Sequence, residues 1–327
     1  MIRKFLSSIH LFIFFNCSAQ LINVKPTEIA LGPINFNAEY IRQNKVKSIT
    51  LDIVDKPDGA VIVDKNAIQG YEFDTLGRLS RYYYTILSKT ESQEMVVPPI
   101  IKRGKVIRAG STRTITQFVN DTIFVNVLYD SQNQIISKRV RTGDFYGAYY
   151  YEYNDKQQLK KAIHFKETNI SENKREFKLG VQSLLSSERF EYTVLTPTQI
   201  KKSCLNDEGR EYKKAIINYD PRGNKISESY EFIVSWMRQD NNYVYDENNR
   251  LINKMYRSNE NGDVKTYSLF KYGEKNALLT EQQYKGDQLV NEISYLYDGA
   301  NVLVKSHVNR DFKNASIGIV KYSYTFY

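Results

Sequence analysis

The chain is short of the side chains on which most enzyme chemistry rests: three histidines, two cysteines and one tryptophan in 327 residues. His10 and Cys17 fall in the first 19 residues, so the rest of the chain holds only His164, His307 and Cys204. The two histidines are 143 residues apart, and no H-E-x-x-H or C-x-x-C spacing occurs, which argues against a zinc site. A single thiol cannot form an internal disulfide, so stability must come from packing and strand pairing. Cys204 reads as a small buried thiol on a strand rather than a nucleophile. The chain also lacks a G-x-S-x-G elbow, a P-loop and a G-x-G-x-x-G fingerprint. A non-enzyme without cofactor or metal is expected. One catalytic class survives as an alternative, an envelope glycoside hydrolase that needs only two carboxylates, and the 37 acidic residues single out no pair.

Long apolar runs are equally scarce. The one candidate lies at the start, where Arg3 and Lys4 precede the apolar stretch Phe5 to Phe15 and Cys17-Ser18-Ala19 follows. This pattern is a signal peptide over residues 1–19, too short to span a bilayer by itself. A lipid anchor on Cys17 is disfavoured, because Phe14, Phe15 and Asn16 precede the cysteine instead of small residues. The expectation is an exported protein of the periplasm, outer-membrane surface or medium, with no integral membrane segment after cleavage. Loss of Arg3 and Lys4 leaves 44 basic against 37 acidic residues, a net charge of about +7. The densest basic spots, Lys102 to Arg108 and Lys138 to Arg141, alternate with apolar residues as solvated strand faces do, so no nucleic-acid partner is expected.

What the chain has in abundance is tyrosine, 26 residues, much of it in one arrangement. An aromatic, any residue, an aromatic and then Asp or Asn are followed by an aliphatic six places after the second aromatic. Tyr71-Glu72-Phe73-Asp74 leads to Leu79, and Tyr243-Val244-Tyr245-Asp246 leads to Leu251. Tyr129, Tyr153, Tyr272 and Tyr297 lead likewise to Ile135, Leu159, Leu278 and Leu303. Asp or Asn opening a type I turn can bond backbone two residues on, and Gly or Asn three places later supplies the left-handed residue that closes a bulged hairpin. The count then pairs each second aromatic with its aliphatic across the hairpin. Tyr219 is followed by Lys225 at the paired position and Ile226 one place late, which suggests a different register there. Asp55 to Gly59 reads as a turn between Ile49–Val54 and Ala60–Val63, not a calcium loop, because further oxygen ligands are missing.

Tyr-x-Tyr-Asp-x-x-Gly-Arg-Leu resembles the YD repeat of the RHS and teneurin families, in which such hairpins run on into a spiralling sheet. The resemblance covers residues 71 to 79, 127 to 160 and 203 to 303, and it implies β architecture, not encapsulation. The export signal and the Tyr, Asn and Lys content also resemble uncharacterised secreted proteins of the Bacteroidetes. The expected organisation is a lead segment over 20–45 and one all-β domain over 46–327. That domain is a meander of antiparallel hairpins in a long twisted sheet or short solenoid-like array, irregular at 88–115 and 166–200. A short helix is possible over 172–186, and Trp236 is expected in the core. If Tyr82, Tyr84, Tyr149 and Tyr151 present their rings on an open face, they form a platform for a glycan or peptide; otherwise they pack on one another. The expected function is a non-catalytic binding or structural component of the envelope, with a glycan, peptide or envelope protein as partner. The second alternative is an outer-membrane β-barrel, suggested by an alternating chain that ends on aromatics at Tyr324-Thr325-Phe326-Tyr327. Against it, Lys265 and Lys271 share a strand face with Tyr267 and Leu269.

Overall fold

A computed structural model describes residues 20–57, 59, 61–102, 105–108, 110–142, 145–173, 176–260, 263–299 and 303–327. The proposed signal peptide and Cys17 lie outside the described residues. A short helix, α1 (Ala38–Gln43), is followed by β1 (Val46–Pro57), β2 (Val63–Phe73), β3 (Leu79–Val97), β4 (Ile100–Lys102), β5 (Lys105–Arg108), β6 (Ser111–Tyr129), β7 (Ile135–Thr142), β8 (Phe145–Tyr153), β9 (Leu159–Asn169) and β10 (Leu179–Thr196). Then come β11 (Gln199–Leu205), β12 (Glu211–Tyr219), β13 (Lys225–Phe232), β14 (Arg238–Tyr245), β15 (Leu251–Ser258), β16 (Val264–Tyr272), β17 (Leu278–Lys285), β18 (Gln288–Tyr297), β19 (Val304–Asp311) and β20 (Ser316–Phe326). The expected meander of antiparallel hairpins is present, and it closes on itself. Eighteen strands form one sheet in which β20 pairs with β1 over Val46↔Phe326 to Pro57↔Ser316, making a barrel. β4 and β5 stand apart as a small hairpin between β3 and β6.

The repeat turns are built as their sequence requires. In each of six, the backbone N–H of the fourth and fifth residues reaches back to the first: Gly77 to the Asp74 carbonyl, and Arg78 to the Asp74 carboxylate, for example. The left-handed residue stands three places after the Asp or Asn, at Gly77, Asn133, Gln157, Gly209, Gly223 and Asn249. The pairs Phe73↔Leu79, Tyr129↔Ile135, Tyr153↔Leu159, Tyr245↔Leu251 and Tyr272↔Leu278 form as counted. Two details differ. Tyr297 pairs with Val304, because that loop carries one extra residue, closed by Asp298 N–H on the Leu303 carbonyl. Tyr219 pairs with Lys225 at the ordinary step, so lysine has replaced the aliphatic without moving the register.

The turns at Asp74, Asp130, Asn154, Asp220, Asp246, Gly273 and Asp298 lie on alternate connections, so they gather at one rim of the barrel. The turn at Asn206 has the same geometry but falls at the other rim. The repeat tyrosines do more than pair. Tyr129 donates its hydroxyl to the Leu79 carbonyl, Tyr153 to Ile135, Tyr245 to Lys225, Tyr272 to Leu251, Tyr297 to Leu278 and Tyr324 to Val304, at 2.7–3.1 Å. Each acceptor is the residue paired with the preceding tyrosine or phenylalanine, so each of these six tyrosines latches its strand to the hairpin before it.

Residues 20–44 occupy the lumen. Leu21, Ile22, Tyr40 and Ile41 are buried in one cluster with Ile49, Tyr71, Tyr82, Val127, Leu251, Phe270, Leu278, Val304 and Tyr322 of β1–β3, β6, β15–β17, β19 and β20, and on the remaining side Glu28 and Ala30 meet Lys202 of β11 and Lys138 of β7. A segment in contact with so many strands can only lie inside. Asn37 caps α1 through its side chain on the Tyr40 N–H, and Phe36 packs edge-on against Tyr71 and Phe73. At the rim a Cβ on Gly77 would fall 2.0 Å from the Ala38 carbonyl oxygen, so that turn must be glycine on steric grounds as well as for its φ of 79°.

Three expectations are corrected. The described residues of 172–186 form no helix; from Leu179 the chain is the extended strand β10, whose Gln182 and Glu188 pair with Glu167 and Ala162 of β9. Trp236 is not in the core but 76% exposed on the turn between β13 and β14, with φ of 54°. The described part of 88–115 is strand and hairpin, not irregular.

The turn carboxylates give a pH signature. Asn224's side chain holds Asp220 below the usual carboxylate range, and Asp246, which partial burial alone would raise, is held below it by Arg250. A depressed carboxylate contributes stability above its unfolded value, near pH 4, and loses it as pH falls through the folded value. Thermal melts should therefore fall off below about pH 4, and Asp220→Asn with Asp246→Asn should flatten that acid limb. An unchanged acid limb would remove these turns from the titration.

Candidate functional site

Strand alternation decides which side chains meet the lumen. Along β12, Lys213, Ala215, Ile217 and Tyr219 point inward, and Lys214, Ile216 and Asn218 point outward. The same parity brings Lys138 of β7, Tyr149 and Tyr151 of β8, His164 of β9, Phe190 and Tyr192 of β10, Lys202 and Cys204 of β11, and Tyr230 of β13 onto the inner wall. Small residues leave room there: Gly147, Ala162, Cys204 and Ala215 line the wall where larger ones would fill it. The result is a chamber of about 650 Å³ between β7–β13 and plug residues Thr27–Ala30. A second hollow of about 1050 Å³ lies across the barrel, between Ile22–Thr27 and the inner wall of β14–β20.

The first chamber is charged in a regular way. Lys202, with a side chain 7% exposed, holds plug residue Glu28 at 2.6 Å, and its ammonium lies 4.2 Å from the Phe190 ring centroid. Tyr192 donates to the same Glu28 oxygen at 3.3 Å. Lys213 faces Glu188 at 3.5 Å, with the Tyr212 hydroxyl on the same carboxylate. Lys225 and the Tyr230 hydroxyl share Glu228 at 3.1 and 2.7 Å. Three carboxylates are thus each shared by a lysine and a tyrosine. Lys138 differs: its ammonium donates to the neutral carbonyl of Ala30, again in the plug, at 2.7 Å.

The four tyrosines named from the sequence all turn inward. Tyr82 is buried, stacked between Tyr71 at 4.8 Å and Tyr84 at 5.3 Å, and belongs to the core under the plug. Tyr149 lies flat on His164, centroids 4.2 Å apart and planes within 5°, on the chamber wall. Tyr151 lines the same wall. His307 is far from this group, bonded to Tyr322 at 2.9 Å. Cys204 is fully buried on β11, as a packed thiol. No cluster of three metal-ligating side chains occurs among the described residues.

The lysines of the chamber were not singled out in the sequence, although a signal existed. In Lys201-Lys202 and Lys213-Lys214 strand alternation must send one member inward, and Lys213 lies six residues, an even step, before Tyr219. Glu28 carried no such signal, because nothing in the lead segment shows that it folds back into the lumen.

The outer wall is mixed, with Leu128, Val244 and Leu296 about half exposed among polar and charged residues. Asp52 stands opposite Lys321, and Lys214 meets Glu231 at 3.1 Å. Ser227, Ser229, Asp240 and Asn242 continue the outward face of β13 and β14. Fully buried Glu167 of β9 accepts from Arg139, Tyr150 and Gln182 at 2.5–2.8 Å and so clamps β7, β8, β9 and β10 together. No helix among the described residues is long and apolar enough to cross a membrane, which says nothing of strands.

No protein-family model matches the chain, and no curated protein matches it. Among solved structures it is similar to a porin-like protein from Bacteroides uniformis, 10% identical over 86% of this chain and 97% of that one, with a TM-score of 0.36. It is also similar to a porin-like protein from Bacteroides vulgatus, 8% identical over 86% and 98%, with a TM-score of 0.31.

Proposed function

We propose that this chain is a non-catalytic β-barrel of the cell envelope, built of YD-type hairpins, that carries its own plug and takes a polar solute into its lumen. The observation that carries this is the seating of residues 20–44 inside a ring closed by β1 and β20. The barrel reading takes the place of the open binding sheet as the main one. Its form is that of an outer-membrane barrel: an even number of antiparallel strands, tight turns at the rim that also holds both ends of the ring, and the two longest connections, 98–110 and 170–178, at the other. The aromatic last strand agrees with it.

A second reading places the same plugged barrel in water within the envelope, and the outer belt favours it. Lys201, Lys214 and Lys321 point outward near mid-strand, and each such charge at a bilayer midplane costs about 2–4 kcal/mol. Fractionation decides between the two. Release from envelopes by carbonate or salt supports the water-facing barrel, and a need for detergent supports the membrane one. The plug is tested separately, in a Cys204→Ser background carrying Glu28→Cys and Lys202→Cys. A short bis-maleimide should join the two cysteines within one chain in either setting. If it does not, the segment is not seated in the lumen and the proposal fails.

A further inference from the structure

We infer that the chamber between β7 and β13 is a binding site for a carboxylate-bearing oligosaccharide, and that Glu28 of the plug occupies its carboxylate subsite when the saccharide is absent. The inference rests on the plugged-barrel reading above.

The starting point is what residues 28–30 hold. Glu28 neutralises Lys202, and the Ala30 carbonyl receives Lys138. The other two lysines of the chamber have carboxylates fixed to the wall itself, Glu188 on β10 and Glu228 on β13. Lifting three plug residues therefore leaves Lys138 and Lys202 without these partners and changes nothing at Lys213 or Lys225. The chamber's net charge rises by one, and two ammonium groups lose an acceptor at once. A buried ammonium that loses its counter-ion is costly, so the plug stays down until another anion replaces Glu28. A segment that lends a carboxylate from outside the sheet to a lysine in the wall is placed as a ligand would be.

The walls point to a sugar as the bearer of that anion. The Tyr149–His164 stack lines the hollow, with Phe190 and Tyr230 nearby. An acidic peptide would ordinarily gain backbone hydrogen bonds by adding to a sheet edge. This sheet has none inside the barrel, because every one of its eighteen strands is paired on both sides. Flat rings, two lysines and no free edge suit a chain of uronic acids.

Calorimetry of the exported chain with tetragalacturonate, and with neutral maltotetraose as the control, tests this. The acidic tetrasaccharide should bind and the neutral one should not. Glu28→Gln removes the internal competitor and raises the fraction of chains with an open subsite, so the acid should bind about tenfold tighter. Lys138→Met, at a half-buried position that folding tolerates more easily than Lys202, should weaken binding about tenfold or more. Equal binding of the neutral sugar, no binding by either protein, or an affinity unchanged or lowered by Glu28→Gln would overturn the site. The bis-maleimide link between positions 28 and 202 separates the two failures. A link without saccharide binding sinks only the ligand, and no link sinks the plugged barrel with it.

Discussion

Replacing Tyr129, Tyr153, Tyr245, Tyr272, Tyr297 and Tyr324 together by phenylalanine is expected to lower stability by about 3–9 kcal/mol, from about 0.5–1.5 kcal/mol for each lost hydrogen bond. Each hydroxyl donates to the main-chain carbonyl at the head of the neighbouring hairpin. Phenylalanine keeps the ring, and with it the packing against the paired residue, and strands only the carbonyl. The cost therefore reports the latch and not the hydrophobic pair. The sites share a rim, so some coupling between neighbours is expected and the sum is a range. Denaturant unfolding with an unchanged slope and a lower midpoint would show the effect. Tyr272→Phe alone, whose bond to Leu251 is 2.7 Å, should cost about 1 kcal/mol. A sixfold variant as stable as the parent would mean that water serves these carbonyls equally well.

Ile41→Asp is expected to cost about 4 kcal/mol or more and to unseat the plug. Ile41 is fully buried, and α1 presses it into the cluster formed by the inner wall. The substitution removes that burial and puts a carboxylate where no cationic partner is at hand in the cluster. The chain has two ways out, and they differ in the test. If the barrel survives, residues 20–44 leave the lumen and trypsin cuts after Arg42 much faster than in the parent. If plug and wall form one core, the whole denaturation midpoint falls. An unchanged midpoint together with unchanged cleavage would place Ile41 outside the core.

The two experiments bear on different parts of what the sequence disclosed. The hairpins were legible because their turn chemistry is local: Asp74, Gly77 and Arg78 lie within five residues and fix one another through backbone bonds. Lys225 in place of an aliphatic misled on register, since the turn and not the paired side chain sets the step. Closure was not legible. Whether a meander stays open or joins its ends depends on β1 meeting β20, a contact between residues hundreds of positions apart for which neither strand carries a marker. The plug was hidden for the same reason. Leu21, Ile22, Tyr40 and Ile41 are ordinary apolar residues in a lead segment until a lumen exists to receive them. Trp236 failed differently: an apolar run reads as core, yet here it crosses an exposed turn. The chamber fell between these cases, its lysines legible by parity and the carboxylate of Glu28 legible only once the plug is known.

The seam between β1 and β20 also fixes when the molecule can become itself. Val46 pairs with Phe326, so the ring joins only after the eleven residues of β20 have been made. Joining ends this far apart costs about 5 kcal/mol of chain entropy beyond a constant. Until then the growing sheet has two raw edges, each able to recruit a strand from another molecule. The latched hairpins can assemble one after another as they are delivered, but their count is ended by the first strand waiting for the last. A chain stopped before Ser316 would have no partner for β1, and the same repeat that makes a finite ring would be free to grow from molecule to molecule.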